Sequence, residues 1–126
     1  MNKAVSIVVP VYNREGLIVR CLDSIKAQTY RQINLIVVDN NSTDGSAAVV
    51  ADWISTNASE DFRAKLLHQP IPGAMAARQM GLDVVETDYV VFFDSDDAMR
   101  PELISTAMEN IGDNDIFVWR RVVHET

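Results

Sequence analysis

The chain has 126 residues, of which 48% are hydrophobic, and its formal net charge is -7 at pH 7. This length suits one domain, and the hydrophobic fraction is too high for a disordered protein. The negative charge argues against nucleic acid as a partner, because a phosphate backbone is bound by clustered Lys and Arg. No apolar run approaches the ~20 residues that span a bilayer, so no transmembrane segment is predicted.

Apolar runs that read as strands alternate with patterns of helical period along the chain. Residues 4–11 are rich in Val and Ile, as expected of a strand covered on both faces. Further strands are predicted at 35–38, 65–68, 89–93 and 116–123. Helices are predicted at 15–28, 46–55, 74–85 and behind Pro101, which suits a first helical position.

This alternation predicts an α/β fold: a three-layer α/β/α sandwich with a mainly parallel sheet, formed by residues 1–126 as a single domain. Cys21 is the lone cysteine and falls in the apolar stripe of the first helix. It cannot form an internal disulfide, so a reducing cytoplasm and an inert core thiol are expected.

Polar residues follow four of the predicted strands, at 10–13, 39–45, 68–70 and 94–97. Ligands of open parallel sheets bind beyond the carboxyl ends of the strands, so these segments are expected at one edge. Acids from two strands would meet there, and a divalent cation would offset the cost of gathering like charges. The alternative for the acids at 94–97 is a solvated turn that caps the next helix.

Four blocks of the sequence, at 5–13, 36–46, 73–81 and 94–97, carry a resemblance to a known family. In their order and spacing they resemble the N-terminal half of a family 2 glycosyltransferase, which has the Rossmann-like GT-A fold and binds a nucleotide-diphosphate sugar. The resemblance implies transfer of a glycosyl group, most simply from a UDP-sugar, to an acceptor hydroxyl, as in cell-surface polysaccharide biosynthesis.

The resemblance also implies which residues bind the donor. Asp39 would accept a hydrogen bond from the imide N–H of a uracil-type base, because a carboxylate offers only acceptors. Its alternative role is an Asx-turn or helix cap, and Tyr12 could equally be an ordinary half-buried aromatic. The full predicted donor site comprises Pro10, Val11, Tyr12, Asn13, Asp39, Asn41, Arg78, Asp94, Ser95 and Asp96.

The family's Asp-x-Asp motif corresponds to Asp94 and Asp96. Asp96, with Asp94 or Asp97, would meet Mg²⁺ or Mn²⁺ that bridges the diphosphate. Arg78 would help to hold the donor, and its alternative is a surface arginine paired with an acid. Met80 departs from the family pattern, which commonly has asparagine there.

The histidines and three C-terminal acids are not expected to belong to the site. His68 and His124 have no partner at the spacing of metal ligands, so structural or solvated histidines are expected. Asp113, Asp115 and Glu125 are expected to be solubilising charges.

Inverting transfer also needs a general base, which the family places downstream of everything seen here, beyond Thr126. The chain is therefore expected to be the donor-binding part of a truncated enzyme or a binding module without turnover. Expected partners are the sugar donor and a glycan or lipid-linked acceptor, at a cytoplasmic location or at the inner face of the membrane. The strand-like run at 116–119 predicts a homo-oligomer.

A receiver-like phospho-acceptor domain is a remote alternative from another class of protein. Its length and its alternating strands and helices would fit this chain. A receiver domain has an acidic pair after its first strand, whereas this chain has Pro10 to Asn13, which include no acid.

Overall fold

A computed structural model describes residues 4–111 of the chain, with the side chains of residues 4–109. Eight elements follow one another in this part: β1 (Val5–Val11), α1 (Ile18–Lys26), β2 (Ile33–Asp39), α2 (Ser46–Asn57), β3 (Arg63–His68), α3 (Ala74–Asp83), β4 (Tyr89–Phe92) and α4 (Leu103–Ile111). Each corresponds to a predicted strand or helix, with shifted ends. The predicted strand at 116–123, the oligomer contact built on it, and residues Asp113, Asp115, His124 and Glu125 lie outside the described residues.

The four strands form one parallel sheet in the order β3-β2-β1-β4. Val11 at the end of β1 lies opposite Asp39 at the end of β2, and Val8 lies opposite Phe92 of β4. Because every strand runs the same way, the segments that follow β2 and β4 flank the segment that follows β1. The predicted mainly parallel sheet is confirmed, and so is the shared carboxyl edge.

Helices cover both faces of the sheet. One set of alternate strand residues, including Val9 and Val37, packs with buried side chains of α1, α2 and α4. The other set, including Val8 and Val38, packs against α3 through Ala77. A Cβ at Gly81 of α3 would collide with the side chain of Val8, so the small residue allows this helix to lie close to the sheet. The three predicted layers are therefore present.

Among the shifted ends, the start of the last described helix has a clear physical cause. Pro101 was expected at the first helical position, but α4 begins at Leu103 and Pro101 lies in the preceding turn. The carbonyl of Pro101 accepts a hydrogen bond from Thr29 N at 2.9 Å, and Leu103 N bonds Arg100 O at 3.1 Å. These contacts hold residues 100–103 in a turn against the end of α1, which delays the helix.

Within the described residues, none of the helices has the length and apolar character needed to cross a membrane.

Candidate functional site

A cavity of about 570 Å³ opens at the carboxyl edge of the sheet, beside α3. Most of the predicted donor-site residues line it: Pro10, Val11, Tyr12, Asn41, Arg78, Asp94, Ser95 and Asp96. Six other residues line the cavity that were not predicted as donor contacts: Arg14, Asn40, Pro72, Gly73, Ala74 and Ala77. Asn13, Asp39 and Asp97 were predicted as ligand or metal contacts but are not part of this lining. A volume of this size is typical of small-molecule sites.

Asn13 connects the segment after β1 to the segment after β2. It adopts the left-handed conformation with φ 52°, which asparagine tolerates better than most residues. Its Oδ1 accepts hydrogen bonds from Thr43 N at 2.8 Å and Asp44 N at 3.3 Å, while its own N–H donates to Ser42 Oγ at 3.0 Å. In this structure Asn13 therefore holds two loops together, and a direct ligand contact stays a prediction.

Asp39 ends β2 and is buried, with a side chain that is 3% exposed. One carboxylate oxygen, Oδ2, accepts from Ser42 N at 3.4 Å and lies 3.4 Å from Nδ1 of the exposed His68. The other oxygen, Oδ1, is buried and has no hydrogen-bond partner among the described residues. The Ser42 contact is a local bond from a side chain to the backbone three residues on, one residue beyond the spacing of an Asx-turn.

Strand alternation explains why Asp39 does not line the cavity. Asp39 is two residues from Val37, which belongs to the core cluster on the side of α1 and α2. Val38 belongs to the cluster beneath α3, and Asn40, which lines the cavity, is two residues further on. The carboxylate of Asp39 and the amide of Asn40 therefore belong to opposite faces of the sheet.

Asn40 holds the loop between β3 and α3 in place. Its buried amide donates to Gln69 O at 3.0 Å and Ile71 O at 2.7 Å, and its Oδ1 accepts from Gly73 N at 2.8 Å. Gly73 has φ 119°, a conformation that side-chain-bearing residues rarely adopt. Pro72 and Gly73 line the cavity, so Asn40 shapes one wall of it. Local sequence patterns did not indicate this role, because its partners lie about 30 residues away.

Asn41 adds a further bond to the same loop. It has φ 61°, and its side-chain amide donates to Pro70 O. Asn41 was predicted to contact the donor, and it does line the cavity. Its amide is thus engaged with the protein in this structure.

Three carboxylates cluster after β4. Asp94, Asp96 and Asp97 each offer an oxygen, and these atoms all lie within 4.8 Å of one another. Asp96 is 47% exposed, whereas Asp94 and Asp97 are half-buried. Carboxylate oxygens are the ligands that Mg²⁺ and related hard cations prefer, and this spacing allows them to converge on one ion. The predicted acidic motif therefore fits a divalent cation.

Arg14 places a positive charge in the cavity lining, beside the acidic cluster. Its Nη2 lies 3.9 Å from Asp96 Oδ2, and Nη1 approaches the carbonyl oxygens of Tyr12 and Asn13 at 3.5 and 3.4 Å. Its Nε is buried without a hydrogen-bond partner among residues 4–111. The only sequence signal for Arg14 was its position directly after the block at 5–13.

Arg78 of α3 also lines the cavity. Its Nε is a second buried donor without a partner in the described part of the chain. Met80, the departure from the family pattern, packs on the smaller core cluster beneath α3 and is not in the cavity lining. The change at Met80 therefore affects packing against the sheet, and Arg78 keeps its place beside the cavity.

Cys21 lies directly beneath the acidic segment and is fully buried. Burial, followed by the negative charges of Asp97, Asp96 and Asp94, raises the pKa of its thiol far above the usual range. The predicted core position of the thiol is confirmed.

The chain is similar in sequence to known glycosyltransferases. The profile of "Glycosyl transferase family 2" matches residues 6–126. The protein called glycosyltransferase GlyG, from Streptococcus pneumoniae serotype 4, is 34% identical over 116 residues, which are 91% of this chain and 37% of that relative. The chain thus spans little more than a third of that relative's length.

Solved structures show the same fold. The mannosyltransferase PcManGT from Pyrobaculum calidifontis, in complex with GDP-Man and Mn²⁺, superposes with a TM-score of 0.83 at 28% identity, covering 90% of this chain and 33% of that one. S. aureus TarS residues 1–349, in complex with UDP, gives a TM-score of 0.74 at 27% identity, covering 84% of this chain and 31% of that one. These likenesses confirm the predicted GT-A fold.

Proposed function

The chain belongs to glycosyl transferase family 2, and we propose that it binds the nucleotide-sugar donor of a glycosyltransferase. The observation that carries this proposal is the group of three carboxylates at the rim of a cavity that is also lined by two arginines. The carboxylates would bind a divalent cation, and Arg14 and Arg78 lie beside the same cavity. This combination suits a diphosphate, because both the metal and the guanidinium groups bind phosphate oxygens. The reaction would transfer a glycosyl group to an acceptor hydroxyl.

Asp96, Asp94 and Asp97 are the residues that would hold the cation. A bound Mg²⁺ or Mn²⁺ would neutralise the negative charge that develops on the departing nucleoside diphosphate. The Mn²⁺ and GDP-Man in the PcManGT complex support a metal-dependent donor site in a protein of this fold. On this proposal, Arg78 contacts the diphosphate, and Tyr12 contacts the base or ribose with its 54% exposed ring.

Asp39 is proposed to recognise the base. Its unpartnered Oδ1 is costly in the ligand-free protein, and a donor N–H from a base would satisfy it. Uracil, thymine and guanine each present a ring N–H, whereas cytosine does not, and UDP in the TarS complex favours uracil. Because Asp39 does not line the cavity, this contact requires a rearrangement of the surrounding residues when the donor binds.

The first experiment is a calorimetric titration of the chain with UDP, GDP, dTDP and CDP, each with and without Mn²⁺. Asp39→Ala tests recognition of the base, and Asp96→Asn tests the metal site. Asp88→Asn is the matched control, because it removes the same charge from an exposed residue that precedes β4, at the opposite edge of the sheet.

We expect UDP to bind more tightly with Mn²⁺ and CDP to bind weakly. Asp96→Asn should abolish the effect of Mn²⁺, with a loss of about 100-fold in Mn²⁺ affinity, since even the partners of metal ligands contribute 10- to 100-fold. Asp39→Ala should remove the preference for UDP over CDP. Wild-type-like binding by both variants, or no nucleotide binding at all, would refute the proposal.

A binding module without turnover is the second candidate function. Asp94 and Asp96 are the acids of the cavity lining within the described residues, and the proposal assigns both to the donor and its metal. Among residues 4–109, no carboxylate of the cavity lining is then left as general base. Hydrolysis or transfer of a labelled nucleotide sugar would support the enzyme, and metal-dependent binding without turnover would support the module.

The finer predictions about the whole protein stay predictions. These are a glycan or lipid-linked acceptor, cell-surface polysaccharide as product, a cytoplasmic or inner-membrane location, and a homo-oligomer. Light scattering across a dilution series tests the oligomer, and a strictly monomeric species would rule it out.

A further inference from the structure

Helix α1 and a residue just beyond its C-terminal end carry a stripe of hydrogen-bonding side chains that contacts the segment following β4. The stripe consists of Cys21, Ser24 and Gln28, whose spacing of three and four residues places them on one side of a helix and its C-terminal end. All three are buried or half-buried. None of them lines the cavity, so any effect on a ligand must pass through the segment that they contact.

Gln28 makes the most contacts in the stripe, and it is only 1% exposed. Its amide donates to Arg100 O at 2.6 Å and to Ser24 O at 3.2 Å, and its Oε1 accepts from Ile104 N at 3.0 Å. Both ends of this buried amide are therefore satisfied, and two of its partners lie between β4 and the first turn of α4. Such a side chain specifies the position of the backbone it bonds.

Ser24 and Cys21 extend the contacts to the acidic residues themselves. Ser24 Oγ accepts from Met99 N at 2.9 Å and donates to Cys21 O at 2.6 Å. The thiol of Cys21 donates to the carbonyl oxygen of Asp94 at 3.6 Å. The stripe thus bonds the backbone on both sides of Asp96 and Asp97.

We infer that Gln28, Ser24 and Cys21 are positioning residues for the metal-binding carboxylates. The stripe bonds the backbone of residues 94–104 from the interior and leaves the side chain of Asp96 at the surface. Carboxylates on a pre-ordered segment lose less conformational freedom when they converge on an ion, which raises metal affinity. This inference rests on the proposed function, because it concerns the cation that the donor requires.

The test compares two stripe variants with one control in the full chain. Gln28→Met keeps the side-chain volume and removes three hydrogen bonds. Ser24→Ala removes the Met99 contact with little risk to folding. The control is Trp53→Phe, which removes the 2.8 Å bond from the indole N–H of α2 to Asp23, a residue of α1 outside the stripe.

Three quantities are measured for each variant: the affinity for Mn²⁺ alone by calorimetry, the affinity for UDP without metal, and amide hydrogen exchange in residues 97–104. Since one hydrogen bond corresponds to about fivefold in an equilibrium constant, Mn²⁺ affinity should fall about tenfold in Gln28→Met and two- to fivefold in Ser24→Ala. Exchange should accelerate in both variants. Metal-free UDP affinity should fall less than Mn²⁺ affinity, because Asp94, Ser95 and Asp96 are only part of the cavity lining. Trp53→Phe should behave as wild type in all three measurements.

Wild-type Mn²⁺ affinity in Gln28→Met would overturn the inference. So would an equal loss in Trp53→Phe, because the effect would then be one of general stability. If the wild type itself bound no Mn²⁺, the metal in the proposed function would fail and this positioning role with it. In that case, accelerated amide exchange in Gln28→Met would still show that the stripe orders residues 97–104, although those residues bind no metal.

Discussion

The two sides of the cavity use their polar residues in opposite ways. After β2, the amide of Asn40 bonds three backbone groups of the β3–α3 loop and is buried. After β4, the backbone is bonded from α1 instead, and the carboxylate of Asp96 stays 47% exposed. Both sides read alike in the sequence, as short runs of polar residues that include an acid and follow an apolar strand. Polar residues after a strand can therefore form the wall of the cavity or stay available for a ligand. The outcome depends on whether their own side chains or those of a neighbouring helix hold the backbone in place.

The largest effect is expected on the β2 side, from Asn40→Asp. The carboxylate would face the carbonyl oxygens of Gln69 and Ile71 with no proton to donate, so two buried hydrogen bonds become repulsive contacts. At about 1–3 kcal/mol for each of the two unsatisfied groups, we expect the free energy of unfolding to fall by about 2–6 kcal/mol. UDP affinity should fall about tenfold as the cavity wall loosens. Urea unfolding and calorimetric titration measure the two effects.

The pH dependence of this variant separates the lost bonds from a general defect. The pKa of the new carboxyl should be raised by burial and by the facing carbonyls, so its destabilisation is present above that pKa and shrinks as the pH falls through it. Asn57→Asp makes the same chemical change at the end of α2, where the residue accepts a bond from Lys26, and should leave UDP binding unchanged. Wild-type UDP affinity in Asn40→Asp would contradict the wall-building role.

A smaller effect, of opposite sign, is expected on the β4 side from Arg14→Gln. Arg14 neutralises Asp96 in the ligand-free protein, so a divalent cation must compete with it. Because an exposed ion pair contributes about 0.2–1 kcal/mol, Mn²⁺ should bind up to about fivefold more tightly to the variant. Metal-free UDP should bind more weakly, since the wall loses a cation.

Arg63→Gln is the control for Arg14→Gln. It removes the same charge from an exposed residue at the start of β3, at the opposite edge of the sheet. Calorimetric titration of both variants with Mn²⁺ and with UDP tests the competition. Weaker Mn²⁺ binding in Arg14→Gln than in Arg63→Gln would show that Arg14 does not compete with the metal.

The smallest effect concerns the loop that joins β2 to α2. Asp44 Oδ1 accepts from Ser46 Oγ at 2.6 Å and from Ser46 N at 2.9 Å, and these bonds lower the pKa of Asp44 below its ordinary value. A lowered folded-state pKa gives a stabilisation that is present above the unfolded-state pKa and is lost as the pH falls through the folded-state value.

Asp44→Ala should therefore be slightly less stable than wild type at pH 7. The difference should shrink at an acidic pH below the lowered pKa of Asp44, where the carboxyl is protonated in both states. Urea unfolding at the two pH values measures it, with Asp52→Ala on the exposed side of α2 as control. A difference that persists at low pH would mean that the Asp44 carboxylate is not its source.

Much of the site was predictable because its location follows from strand direction. The apolar run at 89–93 ends in Asp94, and in a parallel sheet its end must share an edge with the end of β1. The burial of Asp39 was not predictable in the same way. Alternation shows that Asp39 and Asn40 face opposite sides, but it does not say which side α3 covers. Similarly, the spacing of Ser24 and Gln28 indicates one helix face without revealing what packs on it.

The sequence by itself determined the alternating elements, the family, and the edge at which the acidic motif lies, because periodicity and short motifs are local properties of the chain. Only the tertiary structure decided that Arg14 pairs with Asp96, that Asn40 bonds a loop about 30 residues away, and that α1 holds the segment after β4. These contacts join residues 29 to 82 positions apart. They exist because the strand order β3-β2-β1-β4 brings distant loops to one edge.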